Sequence, residues 1–189
     1  MSTEEYALEN GLKKVGARPP LLQYVKDAFK RVDFAYTLAS YTIEAGNAKS
    51  RLGSWWNILL PTIQAATYGL IFGLILGSSR PHNFIPFLLT GVFLFGFISG
   101  SFGSGSGAIT TNSGLVKSLS FPRALLPISV VISQFLNLLP QIGILLVTLV
   151  VIQGNLSWSY LALIPILILM SLFSTGLALI VARVTAQVR

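Results

Sequence analysis

Carboxylates, which proteins use most often for proton transfer and for binding hard metal ions, are confined to the start of this chain. All six acidic residues occur within the first 44 positions, and the last of them is Glu44. The 189 residues include a single histidine, His82, and no cysteine. An intramembrane hydrolase, a proton pump or a metal enzyme needs a cluster of such groups. The sequence therefore predicts no catalytic residue, no cofactor site and no metal site.

A glycine-rich run, Gly103–Gly107, is the feature closest to a nucleotide-binding loop. A phosphate-binding loop needs a Lys and then a Ser or Thr directly after its last glycine. Ala108 and Ile109 stand there instead. We therefore predict that the chain is not itself an ATPase, and that these glycines loosen the end of a membrane span.

The composition places the chain in the membrane. It is 53% hydrophobic and 10% charged, whereas soluble domains are about 25% charged. The formal net charge is +7, but the basic residues flank apolar runs, so a lipid bilayer and not nucleic acid is the expected partner. Four runs without Lys, Arg, Asp or Glu are long enough to cross a bilayer: 55–76, 84–102, 125–152 and 160–181.

The loops between these spans predict the orientation. Basic residues are abundant before the first span, and the next loop has only Arg80. The following loop has Lys117 and Arg123, the one after it has none, and the tail has Arg183 and Arg189. By the positive-inside rule both termini of this multi-pass protein are predicted to be cytoplasmic. The expected location is the plasma (inner) membrane.

The region before the first span divides into two parts. Residues 1–18 are polar and are expected to form a flexible cytoplasmic tail. Residues 19–54 form a lead-in whose apolar positions recur every three or four residues, as in an amphipathic helix: Leu22, Val25, Phe29, Val32 and Tyr36. Such a helix packs either on its own protein or on the membrane surface, and its position ahead of the first span favours the membrane. The predicted fold class is thus an all-α integral membrane protein, with an N-terminal amphipathic interfacial helix followed by four transmembrane helices.

Glycines spaced four apart predict close helix packing, because they lie on one helix face and let backbones approach. Such packing occurs either within one subunit or in a dimer contact. The predicted positions are Gly69, Gly73 and Gly77 in the first span and Gly96 and Gly100 in the second.

The loop between the second and third spans has an organised pattern. A short helix is predicted over 113–120, with Asn112 as its N-cap. Phe121 precedes a proline and is therefore biased towards extended backbone. The loop is either a solvated connector or a docking surface for a cytoplasmic partner.

Two motifs resemble the permeases of ABC-2 type transporters. One is Ser50–Trp56 followed by Pro61 and Tyr68, which is similar to the start of the first span in those permeases. The other is the loop after the second span, with Asn112, Leu115–Lys117, Phe121–Arg123 and Leu126–Pro127. The resemblance runs from about Leu21 to Arg189, and the branch that it indicates exports lipid-linked polysaccharides, O-antigen and teichoic acids.

This resemblance implies a mechanism and its partners. Two permease subunits, a homodimer, would pair with two cytoplasmic ABC ATPase subunits and export a lipid-linked glycan or polyol-phosphate polymer. The residues implied to contact the ATPase form a coupling segment: Asn112, Leu115, Lys117, Leu119, Phe121, Pro122 and Arg123. Those implied at the start of the first span form the first-span motif: Leu52, Gly53, Trp55 and Pro61.

The resemblance also has a limit, and other functions stay open. Family members normally have six spans, so the transmembrane domain 55–189 is expected to be truncated after span four. Export of drugs or small lipids is an alternative within the same superfamily. A structural or pore-forming four-helix membrane protein that needs no ATPase is the alternative from another class.

Overall fold

The computed structural model describes residues 20–48, 51–79, 81, 83–118, 121–153 and 158–188. Within these ranges the chain forms helices and no strands. The helices are α1 (Leu21–Lys30), α2 (Val32–Ala48), α3 (Trp56–Leu76), α4 (Phe84–Thr111), α5 (Ser113–Ser118), α6 (Leu125–Gln153) and α7 (Leu163–Val188). Short 3₁₀ turns cover Gly53–Trp55, Gly77–Ser79 and Trp158–Ala162. The predicted tail, 1–18, lies outside the described residues.

Four helical segments are long and apolar enough to cross a membrane. They are Gly53–Leu76, Phe84–Thr111, Leu125–Val151 and Tyr160–Val188. This confirms the predicted all-α membrane fold. The lead-in differs from the prediction in one respect: it is two helices, because the backbone turns at Arg31 between α1 and α2.

The helix α4 lies at the centre and packs against α3, α6 and α7. Its buried Phe93 and Phe97 join Val131 and Leu138 of α6 in the main apolar cluster. The ring of Phe97 meets that of Phe135 edge-on, with centroids 6.2 Å apart. The contacts along α4 show the relative directions of the helices. The helix α4 runs antiparallel to α6 and parallel to α7. We call the end of the bundle where α3 and α6 begin, and α4 and α7 end, the basal end.

The tightest helix contact joins α4 to α7 through small residues. Ser101 and Gly105 of α4 are buried, as are Ser174, Ala178 and Ala182 of α7. A Cβ built on Gly105 would lie 2.9 Å from the Ala178 Cβ and 3.3 Å from its Cα. This is close-approach packing by residues spaced four apart, but at positions that the sequence analysis did not select.

The glycines that were selected have varied surroundings. Gly73 is buried, and a Cβ on Gly69 would meet Leu88 Cδ2 at 3.4 Å. A Cβ on Gly100 would lie 2.8 Å from Gln134 Oε1, whereas Gly96 has open space. Gly77 also has open space; with a φ of +51° it ends α3, a role that suits glycine because it carries no Cβ.

The glycine-rich run Gly103–Gly107 was predicted to loosen the end of the second span, but it is helical throughout. The helix α4 continues past Phe102 to Thr111. Ser106 Oγ donates to the Gly103 carbonyl at 2.7 Å, and Thr110 Oγ1 donates to that of Gly107 at 3.0 Å. The hydroxyls find partners inside the helix, and the α7 contact at Gly105 packs this glycine-rich segment as part of α4.

Gly105→Ala should destabilise the bundle, because the new methyl group meets Ala178 atoms that cannot rotate away. The matched control is Gly103→Ala, where a Cβ meets nothing within 4 Å. Both variants gain the same helix propensity, so their difference isolates the contact, and we expect about 1–3 kcal/mol. Apparent melting temperatures of the two purified variants in one detergent measure it. Equal melting temperatures would contradict the close-approach assignment.

Candidate functional site: the coupling segment and the helices that contact it

The coupling segment begins where α4 ends, at Asn112. The Asn112 carbonyl oxygen accepts the Val116 N–H at 3.1 Å and so opens α5. The Asn112 side chain was predicted to cap α5. Instead, its Nδ2 donates back to the Ala108 carbonyl at 2.8 Å. The amide therefore closes the last turn of α4, and α5 continues from α4 after one bend.

The short helix α5 lies at the basal end, with its polar side exposed and its apolar side half-buried. Leu115 and Val116 are half-buried, and Lys117 and Ser118 are exposed. Ser118 Oγ donates to the Gly114 carbonyl at 2.9 Å, which closes the single turn. Leu119 lies outside the described residues, so its place in the coupling segment stays a prediction.

The turn after α5 is anchored on the lead-in. Phe121 packs on Phe34 of α2, with ring centroids 5.0 Å apart and planes tilted by 44°. The Ala124 N–H donates to Tyr24 Oη of α1 at 3.1 Å. Pro122 and Arg123 supply carbonyl oxygens that accept the N–H groups of Leu125 and Leu126, at 3.0 and 3.3 Å. The turn is thus fixed both to the start of α6 and to α1 and α2.

A second apolar cluster lies beneath this turn. Ala28, Ala35 and Leu125 are buried in it, and Ile128 and Ile132 of α6 pack against it. Small alanines let α1 and α2 lie close to α6. The lead-in therefore does pack on its own protein.

The predicted apolar stripe of the lead-in lies on another face and is exposed. Leu22 is 88% exposed and Phe29 75%, and Val25, Val32 and Tyr36 are also exposed. Uncovered apolar residues on a helix just ahead of a membrane span suit a bilayer surface. The alanine face thus contacts the protein, and the apolar stripe is left uncovered within the described residues.

The first-span motif lies away from the coupling segment. Gly53 has a φ of +52°, which favours glycine; Leu52 and Trp55 are exposed. Because α2 has 17 residues, it spans about 25 Å at 1.5 Å per residue. The start of α2 contacts the coupling turn, and its end contacts the first-span motif.

That second contact is made of amides, which the sequence analysis did not select. Asn47 Nδ2 donates to Ser54 Oγ at 2.9 Å, and Asn57 Nδ2 donates to Asn47 Oδ1 at 3.4 Å. Asn57 Nδ2 also donates to Asn137 Oδ1 of α6 at 3.1 Å. One network therefore joins the end of α2, the first turn of α3 and the middle of α6.

Pro61 explains part of this network. A proline inside a helix has no N–H, so the carbonyl four residues earlier loses its helical partner. That carbonyl belongs to Asn57, and Gln141 Nε2 of α6 donates to it at 3.3 Å. The signal was present in the sequence as a proline in a span together with an amide in another span, but their pairing is visible only in the fold.

Comparison with known proteins gives a consistent result. No family model matches the chain. The chain is similar to O-antigen export permeases. It is 27% identical over 170 residues to the O-antigen export system permease protein RfbA of Myxococcus xanthus, an alignment that covers 89% of this chain and 65% of that protein. Two proteins of the same name from Klebsiella pneumoniae are 28% identical, over 67% and 78% of this chain and 49% and 57% of their own lengths.

The chain thus spans about half to two thirds of the length of the curated relatives that it matches. The similarity confirms the expected resemblance to polysaccharide-export permeases. Together with the four apolar helices, it identifies a multi-pass membrane protein. No cluster of three or more potential metal ligands occurs among the described residues.

Tyr24→Phe should loosen the coupling turn without unfolding the bundle, because it removes the oxygen that accepts the Ala124 N–H. A hydrogen bond of this kind contributes about 0.5–1.5 kcal/mol. Amide hydrogen exchange at Ala124 should therefore become about two- to tenfold faster. The matched control is Tyr41→Phe, an exposed tyrosine of α2, which should leave that exchange unchanged. Equal exchange at Ala124 in both variants would show that Tyr24 does not anchor the turn.

Proposed function

We propose that this chain is the membrane-spanning permease subunit of an ATP-driven exporter of lipid-linked cell-envelope polysaccharide. The observation that carries the proposal is the coupling segment, anchored by Phe121 on Phe34 and by Ala124 on Tyr24 at the basal end. The relatives are O-antigen export permeases by name, which supports a polysaccharide substrate over drugs or small lipids. The permease itself is proposed to be non-catalytic.

The energy for transport would come from a separate ABC ATPase subunit. The segment α5 lies between two of the long helices, and a partner that docks on Leu115 and Lys117 would push on both. Its motion would pass from Phe121 to α2, and from the end of α2 to Asn57 at the start of the first span. The packed helix α2 would thus link ATPase movement to the opening of the permease.

A second copy of the permease is proposed to complete the transport path. The first and fourth spans are largely uncovered, since only 11% of each span's most apolar stretch is buried within the chain. Apolar surface of that extent is covered in the membrane by lipid or by other helices. A dimer of permeases with two ATPases would form the channel for a polymer chain held by its lipid.

The coupling assignment predicts that Leu115→Asp abolishes recruitment of the ATPase. A carboxylate in a dry apolar contact with no cation to pair with weakens binding by several kcal/mol. Pro122→Ala should reduce stimulated hydrolysis more than recruitment, because it changes the angle of α5 and not its surface. Pull-down of the cognate ATPase from membranes with the full-length permease measures both. The matched control is Ser79→Asp, an exposed residue at the other end of the bundle, which should retain the ATPase. Retention of the ATPase and its stimulated hydrolysis by both coupling variants would overturn the assignment.

The orientation is proposed from the positive-inside rule, and single cysteines test it. The sequence contains no cysteine, so Ser79→Cys and Ser118→Cys each provide one thiol, and both positions are exposed. An impermeant maleimide applied to intact cells should label position 79 and not position 118. After the cells are opened, both should react. Labelling of position 118 alone in intact cells would invert the topology and exclude a cytoplasmic ATPase at α5.

A further inference from the structure

A cavity of about 220 Å³ lies between α3, α4 and α6. Its polar lining consists of amides, Asn57 and Gln64 from α3 with Gln134, Asn137 and Gln141 from α6. Trp56 also lines it, and the remaining lining residues are apolar or glycine. No charged side chain is among them. Gln64 is exposed, and the other four amides are half-buried. A concentration of uncharged amides along membrane-spanning helices calls for a chemical reason, because polar groups in hydrocarbon must be satisfied.

The amides fall into two groups. Asn57, Asn137 and Gln141 hydrogen-bond to one another's side chains or backbone and brace α3 against α6. Gln64 and Gln134 make no hydrogen bond within the part of the chain that the structure describes, although both face the cavity. Bracing of the helices therefore accounts for three amides and leaves two with free donors and acceptors.

The position of Gln134 is specifically accommodated. The Gln134 side chain lies against Gly100 of α4, where a Cβ would be 2.8 Å from Oε1 and 3.0 Å from Cδ. Glycine at position 100 thus leaves room for this amide beside α4. The amide is kept at the cavity instead of being turned out of the bundle.

The cavity begins at the depth where a lipid headgroup lies. Trp55 directly precedes α3 and Trp56 is its first residue, and tryptophan is enriched at the membrane–water interface. Gln64 is eight residues beyond Trp56, about 12 Å along the helix. The cavity therefore extends from headgroup level into the outer part of the leaflet at the basal end.

The chemistry of the lining selects for hydroxyl groups. A glutamine amide offers both N–H donors and a carbonyl acceptor, and a hydroxyl donates and accepts in the same way. A phosphate only accepts and carries charge, so it would need a cation that the lining does not provide. The indole of Trp56 adds an apolar face, which suits the C–H face of a sugar ring. Pockets that bind drug-sized ligands have volumes of about 300–1,000 Å³. The volume of this cavity is smaller, so it suits one sugar ring and not a stretch of polymer.

We propose that this cavity is a binding site for one neutral sugar ring of the lipid-linked substrate, held by the amides of Gln64 and Gln134. The inference rests on the proposed export function and deepens it, because it selects a neutral glycan over a polyol-phosphate chain. Asn57, Asn137 and Gln141 position the helices around the site.

Gln64→Leu and Gln134→Leu test the site with little disturbance, since leucine has a similar size and suits a membrane helix. The permease is reconstituted with its ATPase in nanodiscs. Three probes are titrated: polyprenyl diphosphate bearing a neutral hexose tetrasaccharide, the same lipid bearing oligo(glycerol phosphate), and the lipid without sugar. Each lost amide should weaken binding of the hexose probe about five- to tenfold and leave the other two unchanged. The matched control, Gln187→Leu at the exposed end of α7, should bind all three probes as the unmodified chain does.

Two results would overturn the sugar site: unchanged hexose-probe affinity in both leucine variants, or equal affinity of the unmodified chain for the lipid with and without sugar. Recruitment of the ATPase is measured in the same samples and separates the two proposals. If the ATPase is recruited and either result is obtained, only the sugar site fails. If the unmodified permease recruits no ATPase and binds no probe, the export function fails with it.

Discussion

Close approach of α4 and α7 is the constraint on which the rest of the bundle depends. Lipid tails are as apolar as the helix surfaces, so burial of leucine gives little net drive for association, and van der Waals contact must supply it. The small side chains of Ser101, Gly105, Ser174 and Ala178 provide that contact. With α7 fixed on α4, α6 packs against both of these helices, and α3 packs on α4 and α6. The aromatic packing of Phe97 on Phe135 then sets the position of α6.

At the basal end, specific contacts join α2 to the rest of the bundle at both of its ends. The coupling turn is joined to α2 by an aromatic contact and to α1 by a hydrogen bond. The other end of α2 is joined to α3 and α6 by amides. A rigid helix with specific contacts at each end passes a displacement along its length, whereas a solvated loop would absorb it. In the proposed exporter, the lead-in would be a mechanical link between the ATPase and the first span, and its exposed stripe would face the membrane surface.

The spans could be predicted because charge exclusion from hydrocarbon is a property of single residues that are read in order. The end of α4 could not be predicted, since Gly103–Gly107 has the composition of a helix breaker, and its close contact with α7 at Gly105 is visible only in the fold. The prediction of close helix packing was based on glycines alone. It therefore missed Ser174, Ala178 and Ala182, which are also spaced four apart in the sequence and form the α7 side of the contact. The pairing of Asn57 with Asn137 had no such signal, because 80 positions separate the two residues. The coupling residues stay predictions, because the surface they are meant to contact belongs to another protein.

The proline in α3 has a consequence for how this sequence can vary. Pro61 deprives the Asn57 carbonyl of its helical partner, and Gln141 supplies a replacement from α6. That oxygen depends on Gln141 only while proline stands at 61. An apolar residue at 141 would then leave it unbonded, whereas a non-proline at 61 would restore its helical N–H partner. Loss of Gln141 should therefore be tolerated more readily together with loss of Pro61 than alone. In descendants of this sequence, an apolar residue at 141 is expected to accompany a non-proline at 61.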